Sequence, residues 1–208
     1  MTGTPSPLVF VVDDDVSLRE ALGSLFRSVG MQVELFGSPA EFLARGPATC
    51  ESCLVLDIRL PGVSGLDFQT QLAKRGNTIP IVFMTGHGDV PMSVRAMKAG
   101  ALDFLMKPFR DQDMLDAVSN ALALDRERRA AESELSTLRA RYDSLTARER
   151  EVIALVTTGL MNKQIAGQLG VSEITVKIHR GHLMEKMGVR TLAELVKIYQ
   201  MLRPERGI

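Results

Sequence analysis

Five short apolar runs mark the first half of the chain, and a stretch with helical spacing follows each. Leu8 to Val12 runs straight into Asp13-Asp14-Asp15, and Gln32 to Phe36 is the second run. Cys53 to Asp57 ends on an acid, Ile79 to Met84 leads into Thr85-Gly86-His87-Gly88, and Leu102 to Met106 into Lys107-Pro108-Phe109. Runs of Val, Ile and Leu bounded by turn residues predict buried strands of a parallel sheet. Between them, Val16, Leu18, Ala21, Leu22, Leu25, Phe26 and Val29 have the spacing of an amphipathic helix that Gly30 stops. Ser38-Pro39 starts a short helix, and further helices are predicted over 65–74 and 89–99. Strict alternation of this kind predicts an α/β fold, a doubly wound five-stranded parallel sheet of about 120 residues.

The pattern then changes. Ala117, Ala121, Leu124, Arg128, Ala131, Leu135, Leu138, Tyr142 and Leu145 follow a 4-3 spacing that fits either a coiled-coil seam, broken at Arg128, or one solvated helix. Beyond Ser144 only helices are predicted. Thr146-Ala147-Arg148-Glu149 has the form of a capping box, Asn162 to Leu169 is followed by a turn at Gly170-Val171, and Ser172 caps a long helix to Met187. Two helices joined by a short Gly-containing turn read as a helix-turn-helix, with a last helix over 191–202. The expected organisation is a first domain over 8–122, a helical linker over 123–143, and an all-α four-helix domain over 144–208.

Charge supports two separate duties. Residues 1–116 carry 10 Lys/Arg against 14 Asp/Glu, whereas residues 144–208 carry 10 against 6. A basic end points to nucleic acid. Cys50 and Cys53 have zinc-like spacing but no second Cys pair, and the three histidines lie far along the chain, so free thiols and a cytoplasmic, soluble protein are expected. No run approaches the ~20 apolar residues of a membrane span, and no membrane partner is expected.

In a parallel sheet the strands' carboxyl ends share one edge, where ligands collect. That edge would hold Asp13, Asp14, Asp57, Thr85 and Lys107. Clustered carboxylates suit a hard cation such as Mg²⁺, Asp57 can act as a nucleophile toward phosphorus, and Lys107 can neutralise charge on the transferring oxygens. The residues describe a phosphoryl-accepting site. A haloacid-dehalogenase-type phosphatase needs a second Asp two residues beyond its nucleophile, where this chain has Arg59; no enzyme is expected.

The acidic cluster, Leu-Asp-x-Arg-Leu-Pro-Gly-x-Ser-Gly, Met-Thr-Gly-His-Gly-Asp and Phe-Leu-x-Lys-Pro-Phe together resemble the receiver domain of two-component response regulators, a flavodoxin-like fold. The resemblance implies that Asp57 is the phosphorylation site and that Asp14, Asp57 and the backbone carbonyl of Arg59 bind Mg²⁺, with Asp13 supporting the metal through water. It further implies that Thr85 and Lys107 read the phosphate, that Lys107-Pro108 is cis, that Phe104 is the aromatic switch, and that Arg59 and His87 gate attacking water.

The C-terminal segments Leu-Thr-Ala-Arg-Glu-Arg-Glu-Val, Gly-Leu-x-Asn-Lys-x-Ile-Ala and Ser-x-x-Thr-Val-Lys-x-His resemble the LuxR-type DNA-binding domain. Core spacing leaves Lys177, Ile178, Arg180, Gly181 and His182 as the outer face of the recognition helix, and the resemblance places Lys177, Ile178 and Gly181 at major-groove positions. Lys163, Arg180, Lys186 and Arg190 are the expected phosphate contacts. The whole chain resembles the NarL/FixJ group, more closely its FixJ branch. The implied partners are a sensor histidine kinase, double-stranded DNA with an inverted-repeat operator, RNA polymerase, and a second copy of the chain in a homodimer formed on phosphorylation.

Overall fold

The computed structural model describes residues 6–86 and 90–202, and of residues 90–93 only the backbone. Residues up to Arg129 form one compact body and those from Ala130 another.

In the first body β1 (Leu8–Val12), β2 (Gln32–Phe36), β3 (Ser52–Asp57), β4 (Ile81–Thr85) and β5 (Asp103–Met106) form a sheet of order β2-β1-β3-β4-β5, parallel throughout. Helices α1 (Val16–Ser28), α2 (Pro39–Arg45), α3 (Gly65–Lys74), α4 (Val90–Lys98) and α5 (Asp111–Asp143) connect and cover it. Alternate strand residues feed two cores. Phe10, Leu54, Leu56 and Phe83 pack with Phe42, Phe68 and Leu72, while Val9, Val11, Val55, Val82 and Met84 pack with Leu22, Phe26, Met114 and Val118. Both faces of β1 and β3 are therefore buried, which is why these strands read as unbroken apolar runs.

The fourth strand begins two residues later than its apolar run. Asn77 Oδ1 accepts the Ile79 N–H at 3.1 Å, and Pro80 has no N–H to offer a ladder, so regular pairing starts at Ile81.

The start of α3 sits hard against the end of β3. A Cβ on Gly65 would lie 2.5 Å from the Asp57 carbonyl oxygen and 2.9 Å from Ile58 Cα, and the Gly65 N–H donates to the Ile58 carbonyl at 2.9 Å. Only a residue without a side chain lets the helix approach so closely.

The predicted seam along α5 belongs at its ends to the chain's own cores. Ala117 and Ala121 are buried under the sheet, and Tyr142 and Leu145 pack into the core of the second body. Arg128, where the seam breaks, donates to the fully buried Asp125 carboxylate at 2.6 Å; Arg129 also donates to it at 2.6 Å, and the Ser52 N–H at 2.9 Å. Arg126 forms a two-pronged pair with Glu51. The cluster fastens α5 to the start of β3.

The second body contains α6 (Ala147–Val156), α7 (Asn162–Leu169), α8 (Glu173–Met187) and α9 (Leu192–Leu202). Val152, Ile153, Val156, Ile165, Val176, Leu183, Met187 and Leu195 form its core. Gly170 closes α7 in the left-handed conformation and Ser172 caps α8 through the Thr175 N–H, which makes the turn between the two helices short. Thr146 and Glu149 form the capping box of α6, and Glu149 also accepts from Lys186 Nζ at 2.7 Å. Burial pushes the Glu149 carboxyl up, but Lys186 and the Thr146 donors outweigh it and hold it below the usual carboxylate range. A carboxyl depressed in the folded protein adds stability above its unfolded value, and that stability is lost as pH falls through the folded value. Unfolding of this body followed from neutral to acid pH should show that loss setting in below about 4.5, the ordinary Glu value, and Glu149→Gln should flatten it. An unchanged pH profile in the variant would remove Glu149 from the account.

Candidate functional site

Parallel strands bring the predicted residues to one edge. Asp13 follows β1, Asp57 ends β3, Thr85 ends β4 and Lys107 follows β5. Carboxylate oxygens of Asp13, Asp14 and Asp57 lie within 4.8 Å of one another, with Asp13 and Asp57 buried and Asp14 exposed. Lys107 Nζ is 2.6 Å from Asp13 Oδ2 and 3.6 Å from Asp57 Oδ1. The other oxygen of Asp13 accepts the Asp15 N–H at 2.8 Å, and Asp15 in turn caps α1. Both oxygens of Asp13 are thus engaged, whereas Asp57 Oδ1 is buried without a hydrogen-bond partner. Burial pushes the Asp57 carboxyl up; Lys107 opposes this, Asp13 adds to it, and the backbone N–H groups of Arg59 and Ile58 pull it down, with a net rise. A buried carboxylate oxygen with no donor is costly unless a cation or a reacting group meets it.

Thr85 is fully buried. The Lys107 N–H donates to its carbonyl at 2.8 Å, and the Lys107-Pro108 peptide is cis. Phe104 is half-buried against the core that Phe42, Phe68 and Phe83 form on the face of the sheet opposite Ala117 and Ala121. Arg59 is exposed on the turn after β3. His87 lies outside the described residues.

In the second body, Lys163 on α7 and Lys177, Ile178, Gly181 and His182 on α8 are exposed. Arg180 is half-buried and donates to Asn162 Oδ1 at 2.5 Å, bridging the two helices. Lys186 is held by Glu149. These two cations, expected at phosphates, are thereby partly committed inside the domain. The outer face expected for α8 leaves out Ile174, yet Ile174 is 73% exposed. Its position three before Lys177 and four before Ile178 is the signal that would have found it.

The response regulator receiver domain model matches residues 9–119, and the model of bacterial regulatory proteins of the luxR family matches residues 143–199. This chain is a response regulator of the NarL/FixJ group. It is 56% identical over 195 residues to nodulation protein W of Bradyrhizobium diazoefficiens, covering 94% of this chain and 86% of that one. It is 43% identical over 190 residues to the transcriptional regulatory protein FixJ of Azorhizobium caulinodans, covering 91% and 90%. Among solved structures, the response regulator StyR superposes with a TM-score of 0.85 at 52% identity, over 94% of this chain and 99% of that one. Full-length FixJ from B. japonicum gives 0.57 at 36% identity, over 94% and 96%. The response regulator therefore couples a receiver to a LuxR-type DNA-binding domain, the organisation of two-component transcriptional regulators rather than of an enzyme. Among its described residues no helix is long and apolar enough to cross a membrane.

Proposed function

We propose that Asp57 accepts a phosphoryl group from a sensor histidine kinase and that the phosphorylated protein binds an inverted-repeat DNA operator as a homodimer in the cytoplasm, acting on RNA polymerase there. The observation that carries this reading is the buried Asp57 Oδ1 without a hydrogen-bond partner, set among Asp13, Asp14 and Lys107. An Asp57 carboxylate oxygen attacks phosphorus, an O–P bond forms, and the P–N bond to the donor imidazole breaks with its electron pair returning to the ring nitrogen. Lys107, already 3.6 Å from Asp57 Oδ1, neutralises charge on the transferred oxygens. Thr85 offers a hydroxyl to one of them. An apolar groove of about 660 Å³, lined by Leu18, Ala21, Leu22, Leu25 and Phe109, adjoins Lys107 and gives the kinase a seat beside the acceptor.

The carboxylates suit a hard divalent cation: Asp14, Asp57 and the Arg59 carbonyl would hold Mg²⁺, which offsets charge on the phosphoryl oxygens, with Asp13 in support. Asp14→Asn should weaken Mg²⁺ binding at least tenfold without unfolding the protein; equal titration curves for variant and parent would exclude Asp14 as a ligand. Arg59 is exposed, so Arg59→Ala should leave stability within about 0.5 kcal/mol while changing the decay rate of the phosphorylated protein severalfold. An unchanged decay curve would remove that role.

Dimerisation is assigned to the face of α4, β5 and α5. There Val94, Met97 and Met106 are exposed beside Arg95 and Lys98, while Asp113 pairs with Arg110 at 2.5 Å; the Val90 side chain lies outside the described residues. Movement of Thr85 and Phe104 on phosphorylation would reshape this face and favour a two-fold pair. Two DNA-binding domains on one dimer add their half-site energies. Lys163, Lys177, Ile178, Arg180, Gly181 and His182 form the DNA-facing set. Sedimentation of both forms with an operator duplex tests the switch: a dimer of equal affinity before phosphorylation would refute it.

A further inference from the structure

Helix α8 turns Val176, Leu183 and Met187 into the core of its domain. On its opposite side it leaves two isoleucines in water, Ile174 at 73% and Ile178 at 52% exposure. A single exposed apolar residue is ordinary, but residues four apart on a helix stand one above the other on one face. Lys177 and Gly181 lie on that same face, and a Cβ at Gly181 would meet nothing within 4 Å. From its amino end, the face therefore presents Ile174, then Lys177 and Ile178, then open space.

We propose that Ile174 and Ile178 form an apolar edge that reads the C5 methyl group of thymine in the major groove, and that Ile174 is a specificity-determining residue of this domain. The proposal rests on the DNA-binding reading of α7 and α8. In the major groove only thymine presents a methyl group; the other bases show donors and acceptors there. An isoleucine pressed against such a polar edge strips its water and returns no hydrogen bond, whereas against a methyl group it removes hydrocarbon from water. The same side chain thus favours thymine and disfavours the rest. Cβ atoms four apart are about 5–6 Å from one another, and base pairs stack at about 3.4 Å, so the two isoleucines reach methyl groups one to two base pairs apart. The exposed Lys177 stands beside the apolar edge on the same face of α8 and matches the charge of a phosphate backbone, which makes duplex DNA the occupant of this face. Without a side chain at position 181, the next turn adds no base contact of its own, and selectivity concentrates on the amino-terminal half of α8.

Full-length protein treated with acetyl phosphate and Mg²⁺ is used to enrich duplexes from a random-sequence pool, and an enriched duplex is resynthesised with deoxyuridine replacing one thymidine at a time, which removes only the methyl group. One or two positions in each half-site should lose about fourfold in affinity. Ile174→Ala should abolish that loss at one position and Ile178→Ala at the other, with both variants melting like the parent. If uracil is tolerated everywhere, or if the loss survives in Ile174→Ala, the inference is overturned. A parent chain that enriches no duplex overturns the DNA-binding reading itself along with the inference. An Ile174→Ala protein that binds every duplex like the parent but fails to support transcription in a purified system also overturns the inference and assigns the residue to a protein partner.

Discussion

The Asp57→Asn protein is expected to keep its fold, gain no phosphoryl mass with acetyl phosphate and Mg²⁺, and remain in its unphosphorylated oligomeric form. The loss should be complete, because the nucleophilic oxygen is gone, both oxygens of the buried Asp13 are already hydrogen-bonded, and Asp14 lies exposed on the turn rather than in the buried acceptor position. The same substitution should stabilise the metal-free protein. Burial and Asp13 raise the Asp57 carboxyl above its ordinary range. A raised acid costs stability at neutral pH, and that cost is relieved as pH falls through its folded value. A neutral amide removes the cost at all pH values. A higher thermal midpoint for the metal-free variant than for the metal-free parent is expected at pH 7. Labelling of the Asn variant equal to that of the parent would reject Asp57 as the acceptor, and a lower midpoint would reject the electrostatic account.

The largest loss of stability is expected from Asp125→Ala. The Asp125 carboxylate is fully buried, and burial pushes it up, yet hydrogen bonds from Arg128 and Arg129 and from the Ser52 N–H hold it below the usual range. Removing it leaves the Ser52 N–H without its acceptor and takes from the half-buried Arg128 and Arg129 the carboxylate that both bind. Breaking a buried pair costs about 3–5 kcal/mol; because both guanidinium groups reach solvent, about 3 kcal/mol is expected. Urea unfolding of the first body should show that drop in Asp125→Ala and a smaller one in Asp125→Asn, whose side-chain oxygen can still accept from Ser52. Equal midpoints for Ala variant and parent would deny the cluster its anchoring role. Since the carboxyl is depressed, its contribution should also vanish in acid, below the ordinary Asp value of about 3.8.

Much of this molecule is readable from residue order alone, for a physical reason. β1 and β3 are buried on both faces, so Leu8–Val12 and residues 53–56 are uninterrupted apolar runs, and a parallel sheet places all strand ends at one edge. The positions of Asp13, Asp57, Thr85 and Lys107 followed from that rule. Pairwise geometry did not. Nothing in the order of residues says that Lys107 lies nearer Asp13 than Asp57, or that Arg180 turns inward to Asn162. The partners of Asp125 lie both beside it on α5 and far away at Ser52, so no local pattern in the sequence reveals its burial. The 4-3 spacing is ambiguous by itself. A helix packed against one core at its start and another at its end shows the same spacing as a helix packed along a partner, and Ala117, Ala121, Tyr142 and Leu145 account for the ends of the pattern through the chain's own cores.

The strand order also governs how the chain reaches its structure. Since β1 lies between β2 and β3 and every pairing is parallel, no two strands can close as a hairpin. Leu8 must find Ser52 and Leu54 must find Ile81 before either central strand has a partner on that side. The helices from Ala147 onward complete their backbone hydrogen bonds within each helix and need no strand partner, although α6 reaches past α7 to α8, where Glu149 accepts from Lys186. Non-local pairing raises the entropic barrier to folding, and local pairing lowers it. A ribosome releases the slow body first and the fast one last, so the regulator's DNA-reading half can be finished while the switch that governs it is still assembling.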